Sequence, residues 1–188
     1  MLLEDELIQK CIYGDRFAQK ELYERYSPIF FAMCVRYMPT RAEAEDVLIM
    51  GFTSIFAKID TYKHEGAFES WMKRIIINTA IDTLRINRKH HKMRYEGREW
   101  DDDTILTSQS SQNMTYKRID KKEIMEQIRQ LSEGYRTVFN LYAIEGYSYE
   151  TISNMLEISV GTVKSQLAKA RKLLQNKLQI YRYNEEQF

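Results

Sequence analysis

Apolar residues recur three and four positions apart through most of this chain, the spacing that gathers them on one face of an α-helix. From Phe17 to Tyr37 the stripe is Leu22, Tyr26, Ile29, Phe30, Met33 and Tyr37, which predicts one long amphipathic helix. Pro39-Thr40 interrupts it, and Thr40 followed by Glu43 has the pattern of a capping box for the next helix. That helix is predicted to run to about Ile59, with Ala44, Val47, Leu48, Phe52, Ile55 and Phe56 inward. The stretch 60–66 is polar. A third helix is predicted from Phe68 to about Arg88, on a stripe of Phe68, Trp71, Met72, Ile75, Ile76, Ala80 and Leu84. The run Ile75-Ile76-Ile77 favours a strand locally, but the period on either side of it is helical.

The pattern stops near Met93. Between Glu96 and Tyr116 stand Asp101-Asp102-Asp103 and Ser108-Gln109-Ser110-Ser111-Gln112-Asn113, with too little apolar surface to drive ordering. This reads as a linker, and helical periodicity resumes from about Lys117 to Tyr181. The expected organisation is a first domain at 1–92, a linker at 93–117, a second domain at 118–182 and a tail at 183–188. No stretch has the period of a strand, and 7 Gly with 2 Pro are few breakers for a many-turned β fold. The expected class is all-α, with two small helical domains joined by a flexible linker.

In the second domain, Ser132 is placed to cap a helix from Glu133 that turns Tyr135, Val138, Phe139 and Tyr142 inward, with Gly146 at its left-handed end. Ser148 then caps a short helix, Tyr149 to Leu156. After a tight turn at Glu157-Ile158, Ser159 caps a third helix to about Lys177, with Val160, Val163, Leu167, Ala170 and Leu174 inward. Its other face carries Thr162, Lys164, Ser165, Gln166, Lys169 and Arg171. Two short helices joined by a brief turn, the second basic and opening with small residues, fit a helix-turn-helix. Small residues matter there because such a helix meets base edges with its first turns. Lys164, Gln166 and Lys169 are candidates for bases or phosphates, and Arg171 and Lys172 for phosphates.

Charge sharpens this picture. The formal net charge of +1 conceals 8 Lys/Arg against 12 Asp/Glu in residues 1–70, then seven Lys/Arg against Asp82 alone in 71–95. Residues 158–184 hold six Lys/Arg and no acid. Two basic tracts in a near-neutral chain point to two contacts with a polyanion. Other classes find little support. The acidic start, Met1 to Glu6, is not that of a signal peptide. The apolar run Ile29 to Val35 is too short to span a bilayer. Cys11 and Cys34 sit in helical pattern, as reduced packing residues of a cytoplasmic protein do. His90-His91 has no metal-ligand spacing around it, and no paired carboxylates suggest a nuclease.

Two stretches together resemble one family. Tyr147-Ser148-Tyr149-Glu150-Thr151-Ile152-Ser153, continued by Ile158-Ser159-Val160-Gly161-Thr162-Val163-Lys164-Ser165-Gln166-Leu167-Ala168-Lys169-Ala170-Arg171, is similar to region 4 of the extracytoplasmic-function (ECF) sigma factors of the sigma-70 class. A helix-turn-helix of this kind also occurs in response regulators, but those carry alternating strands and helices in the other half. Here Ala44-Glu45-Asp46-Val47-Leu48 with Phe52 resembles region 2.2 of the sigma family. Phe68, Trp71, Met72, Ile75, Asn78, Asp82 and Leu84-Arg85 match the spacing of its regions 2.3 and 2.4.

The resemblance implies a factor that brings RNA polymerase core, through its β′ and β subunits, to promoter DNA and helps open the −10 element. It implies no cofactor, no metal and no chemistry by this chain, and an anti-sigma factor as a further partner. Glu45, Asp46, Leu48, Ile49 and Phe52 would lie on the helix that docks on a coiled coil of β′, with Ile49-Met50 standing where the family often has Gln-Glu. The loop from Lys63 to Ala67 and the helix after it would hold an extruded base, whose unstacking costs a few kcal/mol that stacking and edge contacts must offset. Asn78 is then the candidate polar contact, while Lys63, Arg74, Arg85, Arg88 and Lys89 would meet the −10 backbone. Ser159, Thr162, Lys164, Ser165, Gln166, Lys169, Arg171 and Lys172 would meet the −35 duplex. Trp71 is expected in the core, and Asp82 is expected to pair with an arginine, since phosphates repel it. Glu157 stands where the family often has glycine, in a turn that favours left-handed backbone. About 25 linker residues reach roughly 80 Å when extended, more than two turns of duplex at about 34 Å each.

Overall fold

A computed structural model describes the backbone of residues 3–94 and 121–182, and the side chains of 3–87 and 123–177. The described residues form helices and turns, with no strand. The expected tail and all of the expected linker beyond Arg94 lie outside them. The chain divides into two compact units, Met1–Arg88 and Lys89–Phe188.

The first unit is built from α1 (Glu4–Ile12), α2 (Arg16–Tyr37), α3 (Arg41–Lys58), a single 3-10 turn (Ile59–Thr61) and α4 (Phe68–Arg94) as far as Arg88, the last six residues of α4 falling beyond the boundary. Asp15 caps α2, its carboxylate accepting from the backbone N–H groups of Phe17 and Ala18. The capping box of α3 is present in full. The Glu43 N–H donates to the Thr40 hydroxyl oxygen at 3.2 Å, and the Thr40 N–H donates to the Glu43 carboxylate at 3.1 Å. Thr40→Ala is expected to cost about 1 kcal/mol, measured as a lower melting temperature of the first unit.

Its core is aromatic and aliphatic, with Phe30, Tyr37, Phe68 and Met72 all under 2% exposed. Gly51 on α3 lies where a Cβ would collide with Ile76 Cδ1 of α4, so the glycine permits close approach of the two helices. Cys11 and Cys34 are free and buried, and burial pushes their thiols up to about 11 and about 12. Such thiols are packing groups rather than nucleophiles.

The structure departs from the periodic expectation in four places here. Helix α1 precedes the first helix expected from the stripes, although Cys11 stands in helical pattern: it buries only Leu7, Ile8 and Cys11 and has no side-chain cap. Ile29 is 51% exposed, because the stripe of α2 centres on Phe30. Phe56, Trp71 and Ile75 are half-buried, whereas Ile77, on no expected stripe, is fully buried. Helix α4 also runs six residues further than expected, to Arg94.

The second unit comprises α5 (Lys121–Arg129), α6 (Glu133–Phe139), a π turn (Asn140–Ile144), α7 (Tyr149–Leu156) and α8 (Val160–Arg182). Ile128, Leu131, Ala170 and Leu174 form one cluster of its core. Val138, Leu141, Ile152, Val163 and Leu167 are also buried. The Arg136 guanidinium donates to the Arg129 carbonyl at 2.9 Å and so closes the end of α5, where a helix dipole favours a cation. Ser132 stands at the N-cap of α6 but makes no side-chain cap bond. The sequence also predicted one regular helix up to Gly146. Instead it widens into the π turn, and Gly146 then ends the segment at φ 78.

Candidate nucleic-acid interface

The turn between α7 and α8 is built by local chemistry. Ser148 caps α7, accepting from the Thr151 N–H at 3.1 Å. Ser159 caps α8, accepting from the Thr162 N–H at 3.0 Å. Between them Glu157 adopts φ 55 and ψ 41, a left-handed conformation more readily held by glycine. The Ser153 hydroxyl donates to the Ile158 carbonyl at 2.6 Å and ties the turn down. No acid follows on α8, whose cap and first two turns carry Gly161 and the hydroxyls of Ser159, Thr162 and Ser165.

At about 100° per residue, the rest of α8 sorts into four strips. Val163, Leu167, Ala170 and Leu174 face the core. Ser165 and Lys172 lie on the opposite, exposed side, with Gly161 and Ala168 beside them. Lys164 and Arg171 lie on the flank towards α7: Lys164 Nζ stands 5.5 Å over the Tyr149 ring, and the Arg171 guanidinium 5.3 Å over Tyr142. The other flank turns to α6. There Gln166 lies against Gly134, and Lys169 Nζ is 6.0 Å over Tyr135. Gln166, a candidate for base edges in the sequence, thus packs on the neighbouring helix. Tyr142 was expected inward. It is half-buried and stacks on Tyr149, ring centroids 4.8 Å apart and 5° from parallel.

In the first unit, the loop between the 3-10 turn and α4 takes left-handed backbone at His64 (φ 58) and Gly66 (φ 95). The Tyr62 hydroxyl donates to the Gly66 carbonyl at 2.6 Å and closes the loop. Tyr62 also meets Phe68 at 5.0 Å and Trp71 at 5.6 Å, and Trp71 stacks on Phe68 at 5.6 Å and 13°. The half-buried Trp71 is therefore part of an aromatic cluster beside an exposed loop. Sequence reasoning passed over Tyr62, because a lone aromatic in a polar stretch carries no period. Lys63, Arg74 and Asn78 are exposed, the last two four positions apart on α4 and so neighbours on its surface. Arg85 pairs with Asp82 at 3.3 Å, as expected for that acid. The side chains of Arg88 and Lys89 lie outside the described residues.

On α3, Glu45, Asp46 and Ile49 are exposed, Ile49 by 58%, whereas Leu48 and Phe52 are only 5% and 2% exposed. Leu48 and Ile49 line a groove of about 410 Å³ together with Tyr23, Pro28 and Phe31 of α2. Arg41 stands 4.9 Å over the Phe31 ring at one side of it and bonds Glu45 at 3.0 Å. Among the described residues no group of His, Cys, Asp and Glu is arranged to hold a metal ion. No helix there is long and apolar enough to cross a membrane.

Comparison with known proteins gives the same two halves. Residues 22–90 match the family model Sigma-70 region 2, and residues 121–174 match Sigma-70, region 4. The chain is 27% identical to the ECF RNA polymerase sigma-E factor of Haemophilus influenzae, over 95% of this chain and 96% of that one. It is 28% identical to the RNA polymerase sigma-H factor of Pseudomonas aeruginosa, over 94% of each. Among solved structures it is similar to the sigma factor RpoE of Bartonella quintana, crystallised with the anti-sigma factor NepR. The TM-score is 0.52 at 22% identity, covering 86% of this chain and 96% of that one. With both regions present in order and relatives matched nearly end to end, the chain belongs to the ECF branch of the sigma-70 family, the factors of promoter-specific transcription initiation by RNA polymerase.

Proposed function

We propose a division of labour between the two units. Residues 1–92 bind core polymerase and engage the −10 element, residues 118–182 bind the −35 duplex, and residues 93–117 connect them. Tethering raises the effective concentration at the second site, so neither unit need bind tightly alone. The Ser159-capped start of α8 carries the −35 assignment: a basic, acid-free helix opening with small hydroxyl residues behind a tight turn. Ser159, Thr162 and Ser165 are the candidates for base edges. Lys164, Lys169, Arg171 and Lys172 are the candidates for phosphates.

For the −10 element, the closed loop at Lys63–Ala67 and the half-buried Tyr62 and Trp71 rings, backed by the buried Phe68, offer a stacking surface beside exposed Asn78 and Arg74. For polymerase, exposed Ile49 with Glu45 and Asp46 on α3 is the candidate docking strip. Leu48 and Phe52 hold that helix from beneath. The chain acts in the cytoplasm and performs no chemistry of its own. An anti-sigma factor is a fitting partner, since the Bartonella quintana protein it resembles was crystallised with one.

Selective substitution tests the division. Lys172→Ala should weaken holoenzyme binding to all −35 duplexes alike and reduce the salt slope by about 0.9, the value of one phosphate contact. Affinity for core polymerase should not change. Loss of core binding instead would contradict the assignment of α8.

A further inference from the structure

We propose that Tyr142 and Tyr149 are positioning residues for duplex binding, their stacked rings holding the Lys164 and Arg171 side chains in place for backbone phosphates. The proposal rests on the reading of α7 and α8 as the DNA-binding pair.

The geometry is a four-membered ladder. Lys164 Nζ lies 5.5 Å over Tyr149, Tyr149 lies parallel to Tyr142 at 4.8 Å, and the Arg171 guanidinium lies 5.3 Å over Tyr142. Lys164 and Arg171 are seven positions apart on α8, which returns them to the same flank within about 20° and separates them by about 10.5 Å of helix. The stacked pair fills that interval. Three local features place it there: the π turn that carries Tyr142, the left-handed Gly146 that reverses the chain, and the Ser148 cap that starts α7 at Tyr149. The two hydroxyls also bond to each other, which with Arg171 draws Tyr142 below its ordinary pKa and raises Tyr149. The nearby acid, Glu150, is held below its ordinary pKa by its own backbone N–H and the Ser148 hydroxyl first, and by the charge of Lys164 to a lesser degree.

Such a ladder has a consequence for binding. Lysine and arginine side chains carry large rotamer entropy, and ordering them on DNA costs affinity. A cation already resting on a ring has lost much of that freedom before DNA arrives. A guanidinium stacked on a ring keeps its N–H edge for a phosphate, and an exposed ammonium over a ring keeps donors facing solvent. Lys164 and Arg171 are both exposed.

A double-mutant cycle on holoenzyme, assembled from core polymerase and the full chain, tests this. The probe is the promoter duplex that wild-type holoenzyme selects from a randomised library. Tyr149→Leu, which keeps apolar volume without the ring, should weaken binding about 2- to 5-fold. Lys164→Ala should then cost markedly less in the Tyr149→Leu background than in wild type, a coupling that a merely structural role would not produce. Tyr149→Phe should stay within about 2-fold of wild type, since the ring remains. The pair Tyr142→Leu and Arg171→Ala repeats the cycle independently. Losses that simply multiply in both cycles would overturn the proposal, as would equal losses for Tyr149→Phe and Tyr149→Leu. Wild-type holoenzyme indifferent to the −35 duplex would sink the DNA-binding reading itself, which the additive result would not.

Discussion

Phe52→Ala is expected to destabilise the first unit by about 3–5 kcal/mol, the usual cost of removing a core phenylalanine. The ring is 2% exposed and is the hub of an aromatic cluster. It meets Tyr23 edge-on at 4.7 Å, and Phe30 and Phe56 at 6.0 Å each, joining α2 to α3. Its removal leaves a void that long helices fill poorly. For a domain of this size the melting temperature should fall by about 15 °C or more, read by calorimetry on the full chain. A near-normal melt with lost transcription would instead mean that Phe52 acts at a partner surface.

Ile49→Glu should have the opposite signature. The residue is 58% exposed and one position from the buried Leu48, so the fold should tolerate a carboxylate there and melting should be unchanged. Affinity for core polymerase should fall about 30-fold or more, because a charge placed in an apolar contact is left unpaired and the loss is of hot-spot size. Competition against the wild-type chain for core polymerase measures it. Full competition by the variant would remove α3 from the proposed docking strip.

These two neighbours show what a sequence reveals and what it withholds. Ile49 and Phe52 lie three apart on one helix, and the resemblance to region 2.2 groups them. Only the packing of α2 against α3 separates an exposed side chain from a buried one. The same ambiguity put Ile29 beside Phe30, since both satisfy spacings of three and four from Tyr26 and Met33. Features set by chemistry within four residues were legible in most cases, the exceptions being Ser132, which makes no cap bond, and the Asp15 cap of α2. Thr40 with Glu43, Ser148 with Thr151, and Ser159 with Thr162 bond as their spacing predicts. Asp82, expected to pair with an arginine because phosphates repel it, meets Arg85 three positions on.

Features set by tertiary contact were not legible. The π turn at Asn140–Ile144 leaves no mark in a periodic pattern, yet it redirects Tyr142 from the core to Tyr149. Gln166 reads as outward because it is polar, but only the position of Gly134 shows that it packs on α6. Helix α1 is short: Leu7, Ile8, Cys11 and Ile12 have helical spacing but extend over little more than one turn. Its attachment is tertiary, through the Tyr26 hydroxyl donating to Glu4 at 2.9 Å and the burial of Leu7.

Run-off transcription tests the central claim most directly. The purified chain is added to core polymerase with a library of promoter fragments, and transcripts are scored by sequence. Initiation should require the chain and should select fragments sharing both a −35 and a −10 element. Tight binding of one duplex without polymerase, together with no selective initiation from any fragment, would contradict the account.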